Sequence, residues 1–457
     1  MVLFSVMVAY LSRWVDNGSI VRFRLEEPYI MKIPRFELPR VNEGVSREQP
    51  RIVPVTRLPW DARTDRRGFL GAALMLGMAM TASPTAGAVE KACKSAKAPS
   101  DPCRTFHAHK FVVQGLTISP DGKLLVSKSW DTTIKLWSLP DGKLIKTLEG
   151  RKDGITFIAI APDGKLLAMV SDDNTIKLWG LPDGNLVNVL KDRRDRIHFI
   201  AISPDGKLLV SVGVFTSICL WRLPDGKLIS TLEGRNGGIT SVAIDPNGKL
   251  LVSGSEDKAI KLWSLPDGKL VKRLEGHKSG INSFAISPNG KLLASASRDN
   301  TIKLWSLPNG KLIETLEGHK KPISSIAIAP NGKLLASGSK DETIKLWTLP
   351  DGKLAKTLEG HKREVFLITF APDGKFLASG SDDTTIKLWN LPSGKLAKTL
   401  EWHRGWILSI AISLDGKLMA SGDLEGSIRL WRLPDGEGLT CLIDPAASPD
   451  KIREVEP

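Results

Sequence analysis

Tryptophan recurs at Trp137, Trp179, Trp221, Trp263, Trp305, Trp347, Trp389 and Trp431, and every interval is 42 residues. A period of this length, kept in phase eight times, restricts the chain to an array of like units. No single unit can bury its own apolar faces, so neighbours must cover them. The stretch from Gly276 to Trp305, GHKSGINSFAISPNGKLLASASRDNTIKLW, shows the pattern in full. Leu-rich and β-branched runs such as ITSVAI, KLLVSGS, AIKLWSL and KLVKRL have the length of strands. Between them stand S/A-P-D/N-G and L-P-D/N/S-G turns, where Pro presets φ at the second position and Gly takes positive φ at the fourth. Fifteen of these sixteen turns carry Pro, the exception being Leu414-Asp415-Gly416. Sheets of four short strands with two apolar faces must stack on one another. Eight of them round an axis leave only short, protected edges. The expected fold is therefore all-β, an eight-bladed β-propeller of four-stranded antiparallel blades spanning 103–444.

With a Gly-His near its start and an Asp-x(5)-Trp near its end, each unit resembles a WD40 repeat. That resemblance implies a hydrogen-bonded set within a unit: a His in the d–a loop, a Ser on strand b, an Asp in the b–c turn and the Trp of strand c. Matching residues are His109, Ser127, Asp131 and Trp137; His277, Ser295, Asp299 and Trp305; His319, Ser337, Asp341 and Trp347; and His361, Ser379, Asp383 and Trp389. The other units depart from the set. Arg151, Arg193 and Arg235 replace the His of units two to four, Met169 the Ser of unit two, Phe215 the Asp of unit three and Glu425 the Asp of unit eight. Those blades are expected to be held by packing alone, with unit three the weakest. Only seven d strands lie between successive tryptophans, so an end must supply the eighth. Both Cys103–Phe106 and Gly438–Leu442 align with it, and the closure usual in the family favours the N-terminal segment.

The rest of the chain divides by composition. Residues 1–65 lack a period and read as a disordered extension, with Met31 the expected true start. Arg66-Arg67, followed by Gly68-Phe69-Leu70, a small-residue apolar run and Ala86-Gly87-Ala88, resembles a twin-arginine export signal over 66–88, cleaved before Val89. Residues 89–102 read as a linker and 445–457 as a tail, with no transmembrane span left after cleavage. The expected location is periplasmic, or otherwise extracytoplasmic in a bacterium. Export allows disulfides to persist. Cys103 is expected to bridge Cys441 or Cys93, while Cys219 stands as a lone thiol.

The net charge of +14 first suggests an anionic partner. Residues 89–457 hold 52 Lys and Arg against 42 Asp and Glu, and much of this surplus recurs at fixed turn positions such as Lys291 and Lys333. Charge spread in that way reads as a solvated ring, which disfavours nucleic acid. Nor is there a phosphate loop, HExxH, GxSxG or CxxC. His107 and His109 form an H-x-H, but His109 belongs to the Trp137 set and metal sites need three or four donors. Asp172-Asp173 and Asp382-Asp383 each end in the set's turn Asp. No catalytic residue, metal or cofactor is expected.

Function then falls to the variable face of d–a loops and b–c turns. The loops hold 13 Lys and Arg against 3 acids, the turns 12 acids, so the face is nearly balanced and suits protein recognition. Trp130 stands where other units have Asp172, Val214, Glu256, Arg298, Lys340, Asp382 and Leu424. Phe111, Trp402 and Trp406 lie in the loops of units one and eight, which ring closure makes neighbours. These four aromatics are the candidate contacts for a protein or peptide on a monomeric, non-enzymatic scaffold. The alternative is capture of anionic glycan or lipid head groups by the basic d–a loops.

Overall fold

The computed structural model describes residues 107–149, 155–171, 173–191, 196–213, 217–233 and 238–444. The expected extension, export signal with Arg66, Arg67, Ala86 and Ala88, linker and tail lie outside them. So do Cys93, Cys103, Arg151, Asp172, Arg193, Val214, Phe215 and Arg235. Among the described residues there are 32 strands in eight antiparallel sheets of four.

Each sheet is one unbroken run of sequence. In blade one, strand a is Val113–Ile118, b is Leu124–Ser129, c is Thr133–Ser138 and d is Leu144–Glu149, paired in that order. The b strand LLVSKS is buried at every position because neighbouring blades cover both its faces. The d strands lie at the rim, where Leu186, Val187, Leu270 and Val271 are exposed. Leu125 pairs with Trp137, and the c–d register slips between Leu136 and Trp137. The same slip recurs beside Trp305 and Trp389. All eight Leu–Pro bonds of the c–d turns, from Leu139–Pro140 to Leu433–Pro434, are cis, a feature the repeated string did not reveal.

The core consists of eight clusters, seven drawn from two adjacent blades and one from blades seven and eight with Val112 of blade one. Val126, Leu136 and Leu148 of blade one pack with Ile158, Leu167 and Met169 of blade two. Val113, Leu125 and Trp137 pack in turn with Leu418, Leu430 and Leu442 of blade eight, which closes the ring. Burial of one such leucine stabilises by roughly 1.5–3 kcal/mol, so most of a blade's stability comes from its neighbours.

Closure differs from the sequence expectation. The fourth strand of blade eight is the C-terminal Glu437–Leu442, paired with Ile428–Arg432, where the N-terminal segment was expected. Both ends carry the pattern of a d strand, but the C-terminal one needs only a short turn after strand c, so its loop entropy is small. Leu442 then lies against the c–d turn of blade one, where a Cβ on Gly142 would stand 2.5 Å from its Cδ2. Leu148 meets Gly184 in the same way between blades one and two. Around the seam, the His109 N–H donates to the Gly426 carbonyl at 3.1 Å and Asp444 N–H to the His107 carbonyl at 3.3 Å. Lys135 Nζ reaches Asp444 at 2.7 Å. Cys441 is disulfide-bonded, while Cys219 carries a buried thiol outside any disulfide. The partner of Cys441 is thus Cys93 or Cys103, both outside the described residues.

Candidate functional site

Rigidity of the face comes from hydrogen-bonded chains under it. Trp137 Nε1 donates to Ser127 Oγ at 2.8 Å, Ser127 and His109 Nε2 stand 2.7 Å apart, and His109 Nδ1 meets Asp131 at 2.9 Å. With a neutral ring every buried group in this chain has a partner. Trp305, Trp347 and Trp389 each reach their serine at 2.9 Å, and the histidines continue to Asp299, Asp341 and Asp383 at 2.8–2.9 Å. A threonine two residues on, unread in the sequence, joins each set: Thr133, Thr301, Thr343 and Thr385 donate to the same carboxylates at 2.6–2.7 Å. Burial alone would raise these carboxyls. The bonds from His and Thr outweigh it and hold all four well below the usual carboxylate range. Burial likewise lowers the His109 ring, against the pull of Asp131.

Blade eight corrects the sequence reading. His403 Nδ1 meets Asp423 at 2.7 Å, His403 Nε2 meets Ser421 at 2.6 Å and Trp431 Nε1 donates to Ser421 at 2.7 Å. Asp423 ends strand b, two residues before the expected turn position, where its counterparts are Ser297, Ser339 and Ser381. Its other oxygen accepts the N–H groups of Glu425 and Ser427, so one residue completes the network and caps the turn. Blades three and four also keep part of the set, since Trp221 donates to Ser211 and Trp263 to Ser253, both at 2.9 Å. They are not held by packing alone. In blade two, where Met169 is buried, Trp179 Nε1 is buried without a partner.

Above these chains the mouth of the ring is assembled blade by blade. In blades one and five to eight the first residue of the b–c turn donates its N–H to the carbonyl of the residue just before strand a: Trp130 to Val112 at 3.2 Å, Leu424 to Trp406 at 3.1 Å, Asp382 to Glu364 at 3.1 Å, Lys340 to Pro322 and Arg298 to Gly280 at 3.0 Å. The second residue of strand a then points toward the following blade. His198 donates to the Ile239 carbonyl at 3.0 Å, Asn282 to that of Ile323 at 2.9 Å and Ser324 to Glu364 at 2.6 Å. Those positions become Phe366 and Leu408 in blades seven and eight. The mouth therefore has a polar arc and an apolar sector, a change of residue type legible at strand a but missed in the sequence.

Trp130 and Trp406 converge on that apolar sector. Both are half-buried against a cluster containing Val112, Phe366 and Leu408, together with Leu424. The Trp406 ring centroid lies 6.3 Å from that of Phe366. Trp402 touches the same cluster from the blade-eight network: its ring is 5.0 Å from His403, and the Arg429 guanidinium lies 4.7 Å from it and 5.0 Å from Trp431. Phe111 is 61% exposed. His107 Nδ1 is bonded to Ser427 at 2.9 Å, and His109 is occupied by its own set.

The WD domain, G-beta repeat model matches residues 100–138, 142–180, 226–264, 268–306, 310–348, 352–390 and 394–432, more than half of the chain. The chain belongs to the WD40 family. The unmatched interval holds unit three, the unit expected to be weakest. Among WD40 relatives, small ribosomal subunit protein RACK1 of Candida albicans is 45% identical over 42 residues, 9% of this chain and 13% of that protein. Nuclear distribution protein nudF of Emericella nidulans is 42% identical over 65 residues, 14% and 15% of the two chains. Each aligned stretch thus spans a small part of its relative. The crystal structure of the computationally designed Ika8 protein matches with a TM-score of 0.64 and 26% identity, over 71% of this chain and 97% of its own.

Proposed function

We propose that this WD40 propeller is an exported, non-enzymatic scaffold that captures a protein or peptide at the mouth of the ring. The observation that carries this reading is the gathering of half-buried Trp130 and Trp406 over the buried Phe366, while the corresponding strand-a residues of blades three, five and six are polar. Half-exposed aromatic side chains on a rigid base, ringed by charge, have the make-up of a binding hot spot. Similarity to a protein named as part of the small ribosomal subunit agrees with a role in assembly. The twin-arginine motif at Arg66 and Arg67 supports export to the periplasm.

Pull-down of the full chain from envelope extract tests both parts. Trp130→Ala with Trp406→Ala should abolish capture at a nearly unchanged melting temperature, and Arg66→Lys with Arg67→Lys should keep the protein in the cytoplasm. Normal capture by a destabilised double mutant would assign the tryptophans to packing instead. A steep fall of capture with salt would favour anionic glycan or lipid head groups on the basic d–a loops.

A further inference from the structure

The opposite face, built from the a–b and c–d turns, is uniform in backbone but not in charge. Each a–b turn touches the next: a Cβ on Gly290 would lie 3.8 Å from Pro246, one on Gly332 3.7 Å from Pro288, and one on Gly374 3.9 Å from Pro330. The lysine after each Gly is exposed. Most turns place an Asp beside that lysine and so offset its charge. In blades four to six four of the six turns carry Asn instead, at Asn247, Asn289, Asn309 and Asn331, and in blade seven Ser393 takes the place in one of the two.

Across blades four to seven, eight lysines of these turns therefore face four carboxylates. One of the four, Asp245, is buried and accepts the Lys249 and Leu250 N–H groups. Among the described residues, of the eight ammonium groups only Lys375 forms an ion pair, with Asp373 at 3.6 Å. The same turns of blades eight and one to three carry eight cations against nine carboxylates. Both of their arginines are already engaged, Arg222 by Asp225 and Arg432 by Asp435 and Glu437. The basic surplus is thus confined to one half of the face.

A second observation adjoins it. The a–b turn of blade eight, next to that of blade seven, has Leu414 where the other seven have Pro. Leu414 is 65% exposed. It leaves the space beside Gly122 open, whereas Pro120 fills the corresponding space at Gly164.

We infer that this face docks on an anionic bilayer, with the lysine arc of blades four to seven against phosphate head groups and Leu414 entering the interface. Positive charge attracts such a surface, and an apolar side chain beside it supplies the second signal that interfacial binding needs. A soluble polyanion would use the lysines but not the leucine. This inference is independent of the peptide reading, since it concerns the other face.

The test is sedimentation of the full chain with phosphatidylcholine vesicles, with and without phosphatidylglycerol. All variants share the same N-terminal residues, so only differences between them are read. Asn247→Asp, Asn289→Asp, Asn309→Asp and Asn331→Asp together install the residue of the sister turns. They should lower partition onto phosphatidylglycerol vesicles by about tenfold or more. Leu414→Pro, likewise the residue of the sister turns, should lower it severalfold without altering its salt dependence. Equal partition of the wild type and the fourfold variant would overturn the proposal. So would retention of inorganic polyphosphate by a protein that does not sediment with vesicles.

Discussion

Blades five to seven and blades two to four share period, turns and strand order, yet differ in what lies beneath the tryptophan. In the first group Trp305, Trp347 and Trp389 each end a four-membered chain reaching an aspartate. In the second, among the described residues, Trp221 and Trp263 reach a serine only and Trp179 Nε1 has no partner. A blade therefore forms without the full chain to an aspartate, and the complete network is an addition to interblade packing. An unpaired buried polar group costs about 1–3 kcal/mol, so the two groups should respond differently wherever that network is broken.

Acidification should separate them most. Asp131, Asp299, Asp341 and Asp383 titrate below their ordinary value in the folded protein. Their contribution is complete above the unfolded-chain value near 4 and is lost as pH falls below it. The depressed His109 ring acts with the same sign, since protonation in acid opposes its buried neutral form. Hydrogen exchange, corrected for intrinsic rates, should show strands b and c of blades one, five, six and seven losing protection before those of blades two to four between pH 7 and about 3. Equal losses would remove the networks from the account.

Next in size are single changes. Asp341→Ala and Asp423→Ala should each cost about 2–3 kcal/mol on urea titration, because a buried histidine loses its acceptor. Glu425→Ala should stay within about 0.5 kcal/mol, because Asp423 and not Glu425 binds His403. A Glu425→Ala cost equal to that of Asp423→Ala would restore the turn position as the site of the network. The smallest effect sharpens the contrast inside the weaker group. Ser253→Ala leaves the Trp263 N–H unpaired and should cost about 1–2 kcal/mol, less than Asp341→Ala; an equal cost would show that the longer chain adds nothing.

Much of the fold was legible because its signals are local and repeated. The tryptophan period gave the number of blades, and the Pro-Gly turns marked the ends of the strands. What was missed depends on contacts between distant segments or on small shifts of position. Both Cys103–Phe106 and Gly438–Leu442 read as an outer strand, and only pairing with Ile428–Arg432 distinguishes them. Asp423 escaped an alignment by position because it reaches His403 from two residues upstream. At the candidate site, the meeting of Trp130 with Trp406 followed from ring closure. The attachment of Trp402 to Arg429 did not, because in units five to seven its place is held by Gly276, Gly318 and Gly360, which have no side chain to compare.

The seam carries a consequence for how such a ring can change. Because blade eight is completed by its own C-terminal strand, no blade is shared between the two ends, and His107 and Asp444 meet where other blades have an uncut d–a loop. The ring is in effect a circle opened at one of eight equivalent places. A circular permutant opened between Glu317 and Gly318 would keep every strand pair, and gain or loss of a whole 42-residue unit would alter the circumference without requiring a new way to join the ends.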